Sequence, residues 1–111
     1  FVVDGTPKAG PQVVEVTNTG MEPHEIAMLS LTDGATVQDA IEFMMAGEEA
    51  QGPPSFDFYG GTGPQSAGVT AWYETDFAPG EYGLICFISS AANEGAPHFM
   101  LGMTAQMSVA N

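Results

Sequence analysis

The chain has 111 residues, of which 44% are hydrophobic, so its length and composition suit a folded domain and exclude a disordered segment. Lys8 is the single basic residue and the formal net charge is −13, which argues against nucleic acid and anionic membrane surfaces as partners. One Cys excludes an internal disulfide and any metal site that needs two thiolates. No apolar run approaches the ~20 residues of a membrane span.

The first third of the chain predicts short strands that are separated by turns. Strands are predicted at residues 1–3, 13–17 and 25–31. Between them, residues 7–11 carry two prolines, and Asn18-Thr19-Gly20 is a typical turn sequence.

A helix is predicted next, because the hydrophobic period changes. Apolar side chains recur at helical spacing at Val37, Ala40, Ile41, Met44 and Met45. Asp33 or Thr36 is the candidate N-cap, and Gly47 is the candidate end. Residues 51–68 are rich in Gly, Pro and Ser, and this composition predicts a long loop that Phe56, Phe58 and Tyr59 anchor.

The last third predicts three further strands. Residues 69–77 alternate between the two faces of a strand, residues 82–88 are largely apolar, and residues 104–109 form the last strand. Residues 89–97 are predicted as a second loop. Many short strands with one short helix in the middle of the chain indicate an all-β sandwich.

Four residues carry candidate metal-ligand chemistry: His24, Cys86, His98 and Met103. Two imidazoles, one thiolate and one thioether form the ligand set of a mononuclear electron-transfer copper site. The thiolate binds Cu(I) strongly, and a weak axial thioether tunes the reduction potential. The single Cys and both His residues of the chain fall into this set.

Three segments resemble motifs of plastocyanin- and halocyanin-like cupredoxins. Asn18 to His24 resembles their N-x-G-x-x-P-H segment, Pro79 to Cys86 resembles P-G-x-Y-x-x-x-C, and His98 to Met103 resembles H-x-x-x-G-M. The resemblance implies a Greek-key β-sandwich, and the length of the chain, with no visible domain boundary, predicts a single domain, residues 1–111. The resemblance also implies one type 1 copper ion, cycling between Cu(I) and Cu(II), with His24, Cys86 and His98 as equatorial ligands and Met103 as the axial ligand.

The chain departs from the family pattern at two places. Eleven residues separate Cys86 from His98, whereas family loops usually have only a few, so the ligand loop carries an insertion. Glu25 stands where the family often has Asn, and a carboxylate cannot donate a hydrogen bond as an amide does. The environment of the ligands must therefore differ from that of the usual family member.

Other interpretations of the same residues remain open. Met100 competes with Met103 for the axial position, and a Cys86–His98 nucleophile–base pair would suit an enzyme. No oxyanion hole or third orienting residue supports such an enzyme. A zinc enzyme is disfavoured as well, because Met is a poor zinc ligand. A copper-delivery domain at the cell envelope is the alternative function, and a metal-free interaction module is a third. The remaining carboxylates, including Glu22, Glu25, Glu48, Glu49 and Glu94, are predicted to form a solvated face.

The preferred interpretation is a small, non-enzymatic electron carrier between redox proteins. The resemblance implies that His98 reaches the surface as the electron port, through an apolar patch to which Phe87, Pro97 and Phe99 contribute. The acidic charge favours a basic partner, with adaptation to high salt as the competing explanation. We expect a monomer in an extracytoplasmic compartment. The absence of Met and of a leader before Phe1 suggests a mature or trimmed chain, with any anchor outside it.

Overall fold

The computed structural model describes all 111 residues. Eight strands follow one another in this order: β1 Gly10–Thr17, β2 His24–Leu31, β3 Phe56–Gln65, β4 Thr70–Phe77, β5 Gly80–Ile85, β6 Ser89–Ser90, β7 Ala96–Pro97 and β8 Thr104–Val109. One α-helix, α1, spans Val37–Ala46, and short 3₁₀ helices span Gly47–Glu49, Ala91–Asn93 and His98–Leu101. None of these helices has the length and apolar character needed to cross a membrane. The predicted all-β class with one helix in the middle is confirmed.

Two antiparallel sheets form the sandwich. The larger sheet has the strand order β3-β2-β5-β8, and the smaller sheet pairs β1 with β4 over their whole lengths. The chain crosses between the sheets after β1, after β3 and after β4, while β2 and β3 are neighbours within the larger sheet.

The core between the sheets is built from alternate residues of their strands. Six buried side chains form it: Ile26, Met28, Phe77, Tyr82, Leu84 and Val109. Val14 and Tyr73 of the smaller sheet pack against this cluster, as the period of two along a strand requires. The one polar atom of the Tyr82 ring is satisfied, because its hydroxyl donates to the Ala78 carbonyl at 2.8 Å.

Helix α1 covers the opposite face of the larger sheet. Its buried Ala40 and Ile41 pack against Leu29 and Ile85, which alternate with the residues that face the smaller sheet. Thr36 is the N-cap and forms a reciprocal capping box with Asp39, and Gly47, with a φ of 57°, ends the helix. The predicted helix and both of its boundaries are confirmed.

The predictions for residues 1–3 and 51–68 were wrong. No strand forms at residues 1–3, and β3 Phe56–Gln65 lies inside the segment that was predicted as a loop. The glycines of β3 give this segment a low strand propensity. Its backbone nevertheless pairs with β2, with two register shifts along the pairing. Gly61 shows why glycine is needed there: its φ is 123°, and a Cβ would overlap the carbonyl oxygen of Ile26.

The insertion between Cys86 and His98 folds as a small hairpin. Ser89 pairs with Pro97 and Ser90 pairs with Ala96, and a 3₁₀ turn closes the hairpin. At its base, the His98 N–H donates to the Ile88 carbonyl at 2.8 Å. We refer to residues 89–97 as the ligand-loop hairpin.

Candidate metal centre

His24, Cys86 and His98 come together at one end of the sandwich. Their potential ligand atoms all lie within 4.8 Å of one another. The Cys86 Sγ is 3.9 Å from the His24 Nδ1 and 3.7 Å from the His98 Nδ1. The two imidazole rings contact each other edge to face, with their centroids 4.3 Å apart.

The sheet and the backbone of the ligand loop position these three side chains. His24 is the first residue of β2, and Cys86 follows the last residue of β5, which pairs with β2. The Cys86 carbonyl accepts from the Phe99 N–H at 2.9 Å, and the His98 carbonyl accepts from the Met103 N–H at 3.0 Å. The segment after His98 is therefore bonded back onto the Cys86 segment.

The separations suit a single first-row metal ion. Metal–sulfur and metal–nitrogen bonds of about 2.3 and about 2.0 Å, in a trigonal arrangement, place sulfur and nitrogen about 3.7 Å apart. The two distances from Cys86 Sγ to imidazole nitrogen, 3.7 and 3.9 Å, lie at and slightly above that value. A thiolate with two imidazoles is the donor set that copper electron-transfer sites use.

The surroundings of the cluster favour side chains that can bind a metal ion. Burial, and to a lesser degree the neighbouring His98, lower the pKa of His24, so its ring is neutral at neutral pH. Cys86 is fully buried, and the Glu25 N–H points at its Sγ from 3.5 Å. A backbone donor at this sulfur is a means of adjusting the reduction potential of a copper–thiolate site.

The chain is similar over 95% of its length to auracyanin, a cupredoxin, from the photosynthetic bacterium Roseiflexus castenholzii. The crystal structure of that protein, reduced with dithionite, matches with a TM-score of 0.59 at 23% sequence identity, over 81% of its chain. The chain has the cupredoxin fold. No family model and no curated protein matches its sequence.

Within this cupredoxin fold, the backbone of Met103 is hydrogen-bonded to Cys86 and His98, whereas Met100 is exposed. The Met103 carbonyl accepts from the Cys86 N–H at 3.3 Å, and Met103 precedes β8 on the same alternation as Ala105 and Met107. These two residues pack toward the core between the sheets. Met100 is 59% exposed. The axial role of Met103 stays a prediction. The exposure of Met100 argues against Met100 as the alternative axial ligand.

The Glu25 carboxylate connects β2 to the segment that follows Cys86. Its Oε1 accepts from the Phe87 N–H at 3.3 Å, while the Glu25 N–H points at the Cys86 Sγ. The carboxylate therefore acts as an acceptor, and the backbone supplies the donor. This contact places Glu25 in the site, and the prediction that it belongs to a solvated face was wrong.

Glu22 is the site residue that the sequence interpretation missed. Its carboxylate accepts from Ser90 Oγ at 2.7 Å, His98 Nε2 at 3.2 Å and the Ala92 N–H at 3.4 Å. The hydrogen bonds from Ser90 and His98 lower the pKa of Glu22 to about 2. No sequence signal marks these pairs, because 68 and 76 positions separate Glu22 from Ser90 and His98.

The prediction that His98 reaches the surface was wrong, and its role as the electron port stays a prediction. His98 is only 5% exposed, and the Glu22 carboxylate contacts its Nε2 edge. The ring centroids of Phe87 and Phe99 are 5.6 Å apart, and both half-buried side chains pack against the core cluster that includes Ala40 and Ile41 of α1. His24 is the more exposed of the two imidazoles.

A buried asparagine fixes the turn that leads to His24. The Asn18 side chain donates to the carbonyls of Glu22 at 2.8 Å and Gln65 at 2.9 Å, and accepts from the Gly20 N–H. A Cβ on Gly20 would lie 2.9 Å from the His24 Nε2, so glycine is required for the observed ring position. Asn18 and Gly20 of the first sequence motif are therefore structural supports for His24.

Proposed function

We propose that this chain is a mononuclear type 1 copper protein that carries electrons between redox proteins. The observation that supports this most strongly is the group of two imidazole Nδ1 atoms around the buried Cys86 sulfur, at one end of a cupredoxin fold. We propose His24, Cys86 and His98 as equatorial ligands and Met103 as the weak axial ligand.

Copper bound at this position supplies a one-electron Cu(I)/Cu(II) couple. The chain contributes a donor set that is positioned by secondary structure, since β2, β5 and the loop before β8 each fix one part of it. Side chains that are positioned before copper binds move little when the charge of the ion changes. Little movement means a low reorganisation cost for electron transfer, and that is the property a carrier needs.

Several further assignments belong to the same proposal. We propose that residues 1–111 form one domain, that the chain acts as a monomer and not as an enzyme, and that its partners are redox proteins. An extracytoplasmic location is consistent with a cupredoxin-type carrier. The acidic surface favours a basic partner, because unlike charges speed the encounter of two proteins.

The decisive experiment is titration of the purified chain with Cu(II), followed by visible absorption. We expect one copper per chain and intense colour, because a thiolate–Cu(II) bond absorbs strongly in the visible range. Cys86→Ser removes the thiolate and abolishes the colour, while circular dichroism shows that the fold is retained. A colourless wild type with one copper bound elsewhere would refute the proposed site.

Electrochemistry then separates a carrier from a copper-delivery domain. A carrier exchanges electrons rapidly and reversibly at an electrode. Tight Cu(I) binding with slow electron exchange would favour delivery instead.

A further inference from the structure

The Glu22 carboxylate links the turn before His24 to the ligand-loop hairpin and to His98. One oxygen, Oε1, contacts both Ser90 Oγ and His98 Nε2, and the other, Oε2, contacts the Ala92 N–H. The Glu22 side chain is 26% exposed and that of His98 is 7% exposed, so the contact is mostly shielded from solvent. The carboxylate therefore meets the second imidazole on the edge that faces away from Cys86.

This contact determines which nitrogen of His98 carries the proton. An ionised carboxylate only accepts hydrogen bonds, so the His98 Nε2 must be the donor. In a neutral ring, a proton on Nε2 leaves the lone pair on Nδ1, and Nδ1 is the atom 3.7 Å from the Cys86 Sγ. The hydrogen bond and the proposed ligand geometry thus require the same tautomer.

We propose that Glu22 is a positioning residue for His98, which fixes the ring with Nδ1 toward Cys86 and strengthens this ligand toward Cu(II). The proposal rests on the proposed copper function and adds a residue outside the predicted ligand set. A carboxylate on the far nitrogen makes an imidazole a stronger donor, and loss of such a partner typically costs 10–100-fold in metal affinity.

The backbone around Glu22 gives this carboxylate a defined position. Asn18 donates to the Glu22 carbonyl at 2.8 Å and also to the end of β3, so the turn is fixed on the larger sheet. Glu22 lies two residues before His24, and its side chain reaches across to His98. The same short turn therefore positions one proposed imidazole ligand through the backbone and the other through a side chain.

The first test compares the reduction potentials of two charge-neutralising variants. Glu22→Gln keeps an oxygen that accepts from Nε2–H but removes the charge, and Glu94→Gln removes one charge from the exposed turn of the same hairpin. We expect Glu22→Gln to weaken Cu(II) binding relative to Cu(I) about tenfold, an upward shift of about 59 mV. Glu94→Gln should shift the potential by less than a third of that amount. Equal shifts in both variants, or no shift in Glu22→Gln, would overturn the proposal.

The second test uses the copper-free chain and does not depend on the proposed function. Nitrogen-15 NMR of the imidazoles should show that His98 is protonated on Nε2 in the wild type at neutral pH. Glu22→Ala should remove this preference, whereas Glu94→Ala should retain it. An Nδ1-protonated His98 in the wild type, or an unchanged tautomer in Glu22→Ala, would contradict the positioning role.

The two tests keep the failures of the two proposals distinguishable. If the wild type binds no coloured copper, the proposed function fails, and the NMR result still decides whether Glu22 orients His98. If coloured copper binds but Glu22→Gln behaves as Glu94→Gln does, the function stands and Glu22 merely attaches the hairpin. Amide exchange at Ala92 reports on that attachment separately, because its N–H donates to Glu22.

Discussion

The residues on both sides of His24 connect the separate parts of the proposed copper site. Glu22 binds the ligand-loop hairpin and His98, and Glu25 binds the backbone after Cys86. Each carboxylate accepts hydrogen bonds from groups more than 60 positions away in the sequence. The proposed site therefore consists of the candidate ligands and of two acidic residues, Glu22 and Glu25, that are hydrogen-bonded to the segments carrying Cys86 and His98.

A substitution of the proposed axial ligand tests the assignment of Met103. Met103→Leu should raise the reduction potential and preserve the colour, because it removes a weak donor to Cu(II) and leaves the thiolate in place. Each tenfold loss of Cu(II) binding relative to Cu(I) raises the potential by about 59 mV. Voltammetry of the copper-loaded protein measures the shift.

The matched control for this prediction is Met100→Leu. Met100 is 59% exposed, so its replacement should leave the potential close to that of the wild type. The opposite pattern, with a shift in Met100→Leu alone, would transfer the axial role to Met100.

The contact between α1 and β5 determines how closely the helix approaches the larger sheet. Gly83 of β5 lies beneath Val37, the first residue of the helix, and the Val37 N–H donates to the Gln106 side chain of β8 at 2.9 Å. A side chain at position 83 would occupy the space that the helix fills. The close approach of α1 to the larger sheet therefore depends on this glycine.

Gly83→Ala should lower the free energy of unfolding by about 1–3 kcal/mol, the usual cost of overpacking. The reason is that a Cβ at position 83 would lie 2.9 Å from the Val37 Cγ2. Urea denaturation measures the loss, and Val37→Ala in the same chain should restore part of it by removing the opposing methyl groups.

Gly63→Ala is the control for this substitution. Gly63 also lies in a strand of the larger sheet, and a Cβ there would meet no atom within 4 Å. If Gly83→Ala were as stable as Gly63→Ala, the contact between α1 and β5 would not be close-packed at this position.

Charge is the dominant property of the whole molecule. A net charge of −13 with one lysine gives a negative field around most of the surface. Such a field acts mainly on the rate of encounter with a partner and falls off over a Debye length, about 10 Å at 0.1 M salt and about 3 Å at 1 M. The rates of electron transfer to a basic and to an acidic redox partner should therefore change in opposite directions when salt is added.

Added salt should slow electron transfer to a basic redox protein and speed transfer to an acidic one, because it screens attraction in the first case and repulsion in the second. Stopped-flow rates across a salt series, with one carrier of each charge, measure both effects. If neither rate depends on ionic strength, surface charge does not steer this protein. If the native partner proves acidic and its rate holds or rises in concentrated salt, the charge is better explained as salt adaptation.

The sequence determined the elements whose signals are local. The spacing of Val37, Ala40 and Ile41 with Thr36 and Gly47 predicted α1, because helix periodicity and caps act over a few residues. The last strand, Thr104–Val109, was predicted with its observed bounds. The three motifs also placed His24, Cys86 and His98 in one candidate site, and the structure brings their ligand atoms within 4.8 Å of one another.

Only the tertiary structure decided the features that depend on distant partners. The glycine-rich β3 is a strand because β2 supplies its hydrogen bonds, and local propensity carries no record of that pairing. Glu22 looked like one solvated carboxylate among several until the fold brought it to Ser90 and His98. The types of the candidate ligands can be read from the sequence. The contact between the Glu22 carboxylate and the His98 Nε2 depends on the fold, because a hydrogen bond requires two groups to be close together and only the folded chain brings these two together.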